Sequence, residues 1–270
     1  RQPNSGVDET NAFTITINSD DNTTVTAAEL NTINDATSVA IDLTNVTSIG
    51  TSNIADLSTM NTGIGGFSNA GGIVAIDITD GGDGSGDVDF GALDPVIDAY
   101  YARNNNVAFT LQSEDTLLID AGEEGDFLTF IGVRDNLQLS NQHITVDSGV
   151  GLSVANAKSI AADTTGTVTA TIATSARVAD LTELRQPDGA TNEENAFTIT
   201  LSSDDDTTVT ADNLNVINAA TSVNVDLAEI SSIGGSDLLD ISTLISNISD
   251  FDNPTTVTSI TLTNDGGGGG

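Results

Sequence analysis

The sequence predicts an α/β chain of repeated strand–helix units with parallel strands, and three observations carry that prediction. Short runs alternate apolar and polar residues with period two. Amphipathic segments of helical period stand between them, and a unit built of both recurs at a fixed offset of 184 residues. Arg1-Gln2-Pro3 returns as Arg185-Gln186-Pro187, and over residues 1–80 and 185–264 the two copies agree at 40 of 80 positions without a gap. The domain reading follows: a full unit at 1–184, with a subdivision at the Gly-rich stretch near 81–90, a second, partial copy at 185–265, and a Gly-rich tail at 266–270. A chain that opens on a repeat boundary and stops inside the next copy reads as a segment of a longer polypeptide.

Taken in order, residues 13–17, 39–43, 74–78, 107–111, 117–121, 144–147, 168–172 and 197–201 alternate as half-buried strands do. Thr26-Ala27-Ala28-Glu29 reads as a capping box opening a helix. Ile54, Leu57, Met60 and Ile64 form a helical stripe, kept in the second copy as Leu238, Ile241, Leu244, Ile245 and Ile248. Asp94-Pro95 reads as the N-cap and first position of a helix carrying Val96, Ile97, Tyr100 and Tyr101. Strands that begin at 13, 39, 73 and 107, each pair bridged by a helix, imply parallel pairing through crossovers. A solenoid-like continuous sheet and tandem globular α/β domains both fit, with the solenoid preferred; β-rich solenoid or sandwich modules are the alternative class.

Composition limits the partners. Six Lys and Arg stand against 40 Asp and Glu, a formal net charge of −34. Such a chain repels nucleic acid and anionic membranes, because phosphate binding needs clustered cations. Its self-repulsion requires cations from the medium, which suits a calcium-containing exterior and an extracellular or cell-surface location. Lys158 is the only lysine, and cysteine and tryptophan are absent, so no disulfide or zinc-thiolate site is available. No run approaches the roughly 18 apolar residues of a membrane span, so no membrane insertion is expected. Apolar residues make up 37% of the chain and are periodic, which argues for an ordered fold.

Carboxylates are the candidate ligands, and calcium the expected cation. Asp42, Asp77, Asp120, Asp147 and Asp226 each follow an aliphatic residue near a strand end; in a register-matched stack they form an acidic ladder, or simply a solvated acidic face. The stretch Asp80 to Asp89 supplies Asp80, Asp83, Asp87 and Asp89 on a glycine-rich loop. Asn18 to Glu29 can be threaded on an EF-hand loop through Asp20 and Asn22, although Thr23 stands where the sharp turn wants glycine, and the capping box explains Glu29 without a metal. Thr14/Thr16, Thr167/Thr169 and Thr198/Thr200 are ordinary for half-exposed strands. His143, the only histidine, has no nucleophilic partner in sequence, and no G-x-S-x-G surrounds a serine; the expectation is that the chain is not an enzyme.

The stretch 80–89 resembles the glycine- and aspartate-rich nonapeptide of RTX proteins, with Gly86 at the expected Asp position and Asp87 one residue late. The phrases at 24–38, 208–222, 152–157 and 164–172 look like repeats of very large bacterial cell-surface proteins, marine cyanobacterial and proteobacterial, of RTX-like, S-layer-like or adhesin-like type. That resemblance implies secretion, calcium-dependent folding and a role in the cell envelope or matrix. The function expected is a structural segment of an extracellular repeat protein, forming a surface layer, adhesin stalk or filament. It would self-associate with neighbouring copies and contact cell-surface or matrix glycans. A phage or virion fibre is the alternative, and a secreted polysaccharide-active enzyme the second.

Overall fold

The computed structural model describes residues 11–17, 24–79, 86–112, 115–133, 136–139, 141–184, 195–202 and 209–263. The chain divides into two compact units, 1–118 with 129–142 and 119–128 with 143–270. Both are mixed α/β with parallel sheets, as the sequence predicts.

In chain order the first part comprises β1 (Thr24–Val25), α1 (Ala27–Asn34), β2 (Ile41–Asp42), β3 (Ser48–Ser52), α2 (Ile54–Thr62), β4 (Phe67–Ser68) and β5 (Ala75–Ile78). It continues with β6 (Asp87–Asp89), α3 (Phe90–Tyr101), β7 (Ala108–Leu111), β8 (Thr116–Ile119), α4 (Glu124–Val133) and β9 (Leu137–Gln138). Successive coils each carry short strands and a helix, so like strands meet across a crossover. The order β1-β3-β5-β7-β9 is parallel throughout, and its register aligns Val25, Ile49, Ile76, Phe109 and Leu137 in one column. Ile49, Ile76 and Phe109 in that column are completely buried. Burial of such a side chain contributes about 1.5–3 kcal/mol, which makes these columns the main source of cohesion between coils. A second row joins β2 and β4, with Thr16 bridged to Asp42 on the other side of β2.

Helix starts follow local chemistry. The capping box forms as expected: the Glu29 N–H donates to Thr26 Oγ1 at 3.2 Å, and the Thr26 N–H donates to Glu29 Oε2 at 2.9 Å. Ser52, buried at the end of β3, accepts from the Ala27 N–H at 2.9 Å and donates to the Gly50 carbonyl at 2.7 Å, tying α1 to the next coil. The stripe Ile54, Leu57, Met60 is buried as α2, and the Tyr100 hydroxyl of α3 donates to the Leu57 carbonyl at 3.4 Å. Phe90 and Phe130 meet edge to face at 5.5 Å.

The second part comprises β10 (His143–Val146), α5 (Val154–Asp163), β11 (Val168–Thr171), α6 (Val178–Leu181), β12 (Ala196–Thr198), α7 (Ala211–Asn218), β13 (Val225–Asp226) and β14 (Ser232–Ser236). It ends with α8 (Leu238–Ser246), β15 (Phe251–Asp252) and β16 (Ser259–Leu262). β10, β11 and β12 pair in parallel, aligning Val146, Ala170 and Phe197; β13 pairs with β15 and β14 with β16. The local devices of the first copy return: the Ala211 N–H donates to Ser236 Oγ at 2.8 Å, and Ser236 Oγ donates to the Gly234 carbonyl at 2.8 Å.

Three expectations are corrected. α3 begins at Phe90 with Asp89 as N-cap, so Asp94 and Pro95 lie inside the helix. Pro95 forgoes one backbone bond, and the buried anchors Phe90 and Leu93 on the preceding turn outweigh that loss. The strand expected at 13–17 makes only the Thr16 bridge, because among the described residues only β2 lies beside it. β3 and β14 were not expected, since Ser-Ile-Gly-x-Ser carries one aliphatic residue. A Cβ on Gly50 would stand 2.8 Å from the Thr24 methyl, so close approach of the strands selects glycine there.

Candidate functional surfaces

The candidate calcium ligands Asp80, Asp83, Asp20 and Asn22 lie outside the described residues. Asp87 and Asp89 stand on β6, either side of the fully buried Val88 and in register with Thr116 and Leu118. The Asp89 carboxylate caps α3, accepting from the Ala92 N–H at 2.7 Å. Glu29, threaded above as the last EF-hand ligand, is engaged in the capping box, and its hydrogen bonds from Thr26 lower its pKa. Among the described residues no three acidic or imidazole side chains converge on one point.

The acidic ladder is divided rather than continuous. Each coil carries two strands in different sheets, so Asp42 on β2 has Thr16 and Ser68 as register neighbours, whereas Asp77 on β5 has Thr110. At these two positions the register neighbours bear hydroxyls rather than carboxylates. Asp226, by contrast, has Thr200 in register on one side and Asp252 on the other. Alternation along a strand was legible in the sequence, but the number of strands per turn was not.

A side-chain tie that sequence reasoning missed links consecutive coils in both copies. Asn69 adopts the left-handed conformation at φ 61°, and its Nδ2 donates to Asp42 Oδ1 at 2.8 Å and to Thr44 Oγ1 at 2.9 Å. Thr44 also donates its hydroxyl to Asp42 Oδ1 at 2.7 Å. The second copy repeats the arrangement: Asn253, at φ 56°, donates to Asp226 Oδ1 at 2.7 Å. Asparagine tolerates this backbone region, which most other non-glycine residues rarely enter. The side-chain bond from Asn69, then those from Thr44, hold the Asp42 carboxyl below its ordinary pKa. Recurrence of the same asparagine 27 residues after the same aspartate in both copies was the signal available in sequence.

Among the described residues of the second unit, two clefts are of note. One, of about 400 Å³, is lined by Ser153, Val154, Lys158, Ala173, Asp180 and Glu183, with Lys158 Nζ bonded to Glu183 Oε2 at 2.8 Å. The other, of about 320 Å³, is lined by Asn218, Thr221, Asn224 and Asp250. Neither lining includes histidine. His143 lies at the exposed start of β10, where its Nδ1 accepts from the Thr167 N–H at 3.1 Å, a hydrogen-bonded structural position. Near Leu57, burial raises the pKa of the Tyr100 phenol.

The most distinctive surfaces are the two ends of the repeat copies. Phe13 is 47% exposed, whereas its equivalent Phe197, covered by β11, is at 0%. At the other end, Ile260 and Leu262 of β16 are 47% and 61% exposed, whereas Ile76 and Ile78, covered by β7, are at 0%. α8 exposes Leu238 at 74% where α2 buries Ile54 at 6%, the physical reason being that α3 packs on α2 and among the described residues no helix packs so on α8. Thus the second-copy stripe is buried at Ile241 and Leu244 and exposed at Leu238, Ile245 and Ile248.

Compared with protein-family models, curated proteins and solved structures, the chain has no match. No helix among the described residues is long and apolar enough to cross a membrane.

Proposed function

We propose that this chain is a structural segment of an extracellular repeat protein, serving a surface layer, adhesin stalk or filament rather than catalysing a reaction. The observation that supports this reading is the duplicated coil. Two stretches identical at 40 of 80 positions repeat the parallel pairings β2 with β4 and β3 with β5 as β13 with β15 and β14 with β16, the same buried serine tie and the same left-handed asparagine. Repetition of cohesion devices extends a scaffold, whereas a catalytic site needs only one set of residues. The net charge of −34 favours screening or bridging by external cations, and calcium is the cation of choice for carboxylate and carbonyl oxygens.

Immunogold labelling of intact cells that make the protein tests the location: label is expected on the outer surface. Label confined to virions would move the reading to a fibre, and label confined to the cytoplasm would end it. Calcium is tested by melting. A ligand bound to the folded form alone stabilises it by about 2.7 kcal/mol at a hundredfold excess over its dissociation constant. Millimolar calcium is therefore expected to raise Tm more than sodium chloride of equal ionic strength; equal responses would mean screening without specific sites.

A further inference from the structure

We propose that the cleft of about 320 Å³ on the second copy binds a neutral saccharide, a short stretch of a cell-surface or matrix glycan, and that the first copy lacks this site. The proposal rests on the structural reading above only for where such a glycan is met. The cleft is a product of exchanges between the copies. In the first copy Asn34, at the end of α1, lies over Gly66, and a Cβ on Gly66 would overlap the Asn34 amide. The second copy has Asp250 at that position. Asn218, the equivalent of Asn34, is held off at the end of that carboxylate, its Nδ2 3.4 Å from Asp250 Oδ2. Two further exchanges line the same space, Asn224 for Ala40 and Ala219 for Asp35. Asn224 Nδ2 donates to the Ser249 carbonyl at 3.3 Å and to Asp252 Oδ1 at 3.1 Å, and Asp252 stands where the first copy has Ser68. The opening does not arise from where the sequence stops. Ser38 and Ala40, the equivalents of Ser222 and Asn224, are just as exposed in the first copy, where β7 continues the sheet beyond β5.

The chemistry of the lining selects the ligand. A carboxylate offers about four acceptor sites. Asp250 uses one on Asn218 and one on the Ser249 hydroxyl at 3.2 Å, which leaves acceptor capacity for the hydroxyls of a sugar. The amides of Asn218 and Asn224 each carry both a donor and an acceptor, and a sugar hydroxyl needs both at once. Ala219 and Val223 supply small apolar surface for the C–H face of the ring. No Lys, Arg or His lines the cleft and the chain stands at −34, so uronates and sulfated sugars are repelled. The volume lies at the lower end of the range for small-molecule sites, about 300–1,000 Å³, which suits about one or two sugar units rather than a long chain.

Saturation-transfer NMR on the full chain tests this, with a calcium chelator present so that only direct contact is read. The probes are the methyl glycosides of glucose, galactose, mannose and N-acetylglucosamine, with methyl glucuronide and glycerol as controls. Transfer is expected to at least one of the four neutral glycosides and to neither control. Asn224→Ala with Asp250→Gly introduces the residues with which the first copy folds, and is expected to abolish transfer while circular dichroism stays unchanged. Adding Asp35→Ala, Ala40→Asn, Gly66→Asp and Ser68→Asp to that silent variant moves the cleft to the first copy and is expected to bring transfer back. No transfer to any of the four glycosides overturns the proposal, as does transfer to either control as strong as to the best of them. Undiminished transfer in the Asn224→Ala, Asp250→Gly variant overturns it too, as does a folded transplant that stays silent. Surface labelling of cells reads location independently of every one of these outcomes.

Discussion

Residues 11–79 and 195–263 use half of their sequence in common to build the same coils, yet the same residue can be core in one and surface in the other. Phe13 and Phe197 are identical and stand at equivalent positions of the two copies, and so do Ile76 and Ile260. One member of each pair is sealed and the other lies open, because β11 covers the start of the second copy and β7 covers the end of the first. Burial in a stacked fold therefore belongs to the position in the stack. An apolar residue in a repeat records what its coil expects as a neighbour, whether or not that neighbour lies beside it.

The largest effect expected from breaking this comparison is at the phenylalanines. Phe197→Ala should cost about 3–5 kcal/mol and Phe13→Ala a small fraction of that, since only the first leaves a cavity. Ile76→Ala and Ile260→Ala should differ in the same direction, at about 2–5 kcal/mol for the buried member. Urea unfolding of each variant provides the check, read separately for the two units. Equal costs within either pair would mean that the two copies are equally enclosed in solution, contrary to their structures.

Much of the fold could be read from sequence where one residue type answered one local requirement. Thr26 and Glu29 capped a helix, Leu57 and Met60 faced inward, and period-two runs became β5, β7, β10 and β11. What escaped was set by neighbours distant in sequence. β3 and β14 exist because other strands flank them, and their glycine reports crowding by Thr24 that no local pattern reveals. Missing those strands put Asp42 and Asp77 in one imagined row, when they stand in separate sheets. Of the candidate ligands in the glycine-rich stretch and the threaded loop, Asp87, Asp89 and Glu29 lie among the described residues, and the role visible for Asp89 and Glu29 is a helix cap.

A smaller effect is expected at the tie both copies share. Asn69→Ala removes two side-chain hydrogen bonds and puts alanine, which tolerates the left-handed backbone less well than asparagine, at that position, at about 1–2 kcal/mol. Asn253→Ala should cost slightly less, because it loses one donor bond to Asp226 and Ala228 offers no hydroxyl in place of Thr44. Glycine at either site should recover part of the loss by relieving the backbone. Thermal unfolding of the four variants sorts the contributions: no recovery by glycine would assign the whole effect to the side-chain bonds.

The smallest expected effects are those of pH, and here the copies should move in opposite directions. The Asp42 carboxyl is held below its ordinary pKa by Asn69 and then Thr44, so its ionised form is favoured by folding. Its contribution is complete above the unfolded value, about 3.9, and is lost as pH falls through the lower folded value. Asp240 is shifted upward, first by desolvation and then by the nearby charges of Asp237 and Asp212. Two of the corresponding positions in the first copy are uncharged, Ala28 for Asp212 and Asn53 for Asp237. For Asp240 the sign reverses: folding disfavours the ionised form, so a penalty is present above the raised folded pKa and is relieved as pH falls toward the unfolded value. Asp240→Asn should therefore raise Tm at pH 7, and Asp42→Asn should lower it. Both differences should shrink on acidification: the Asp240→Asn difference begins to close at the higher pH, because it is the raised folded pKa that is crossed first, and the Asp42→Asn difference persists to lower pH. Tm against pH from 7 down to about 3, for the two variants and the unmodified chain, is the measurement. Shifts of the same sign at pH 7 would show that overall charge outweighs these local settings.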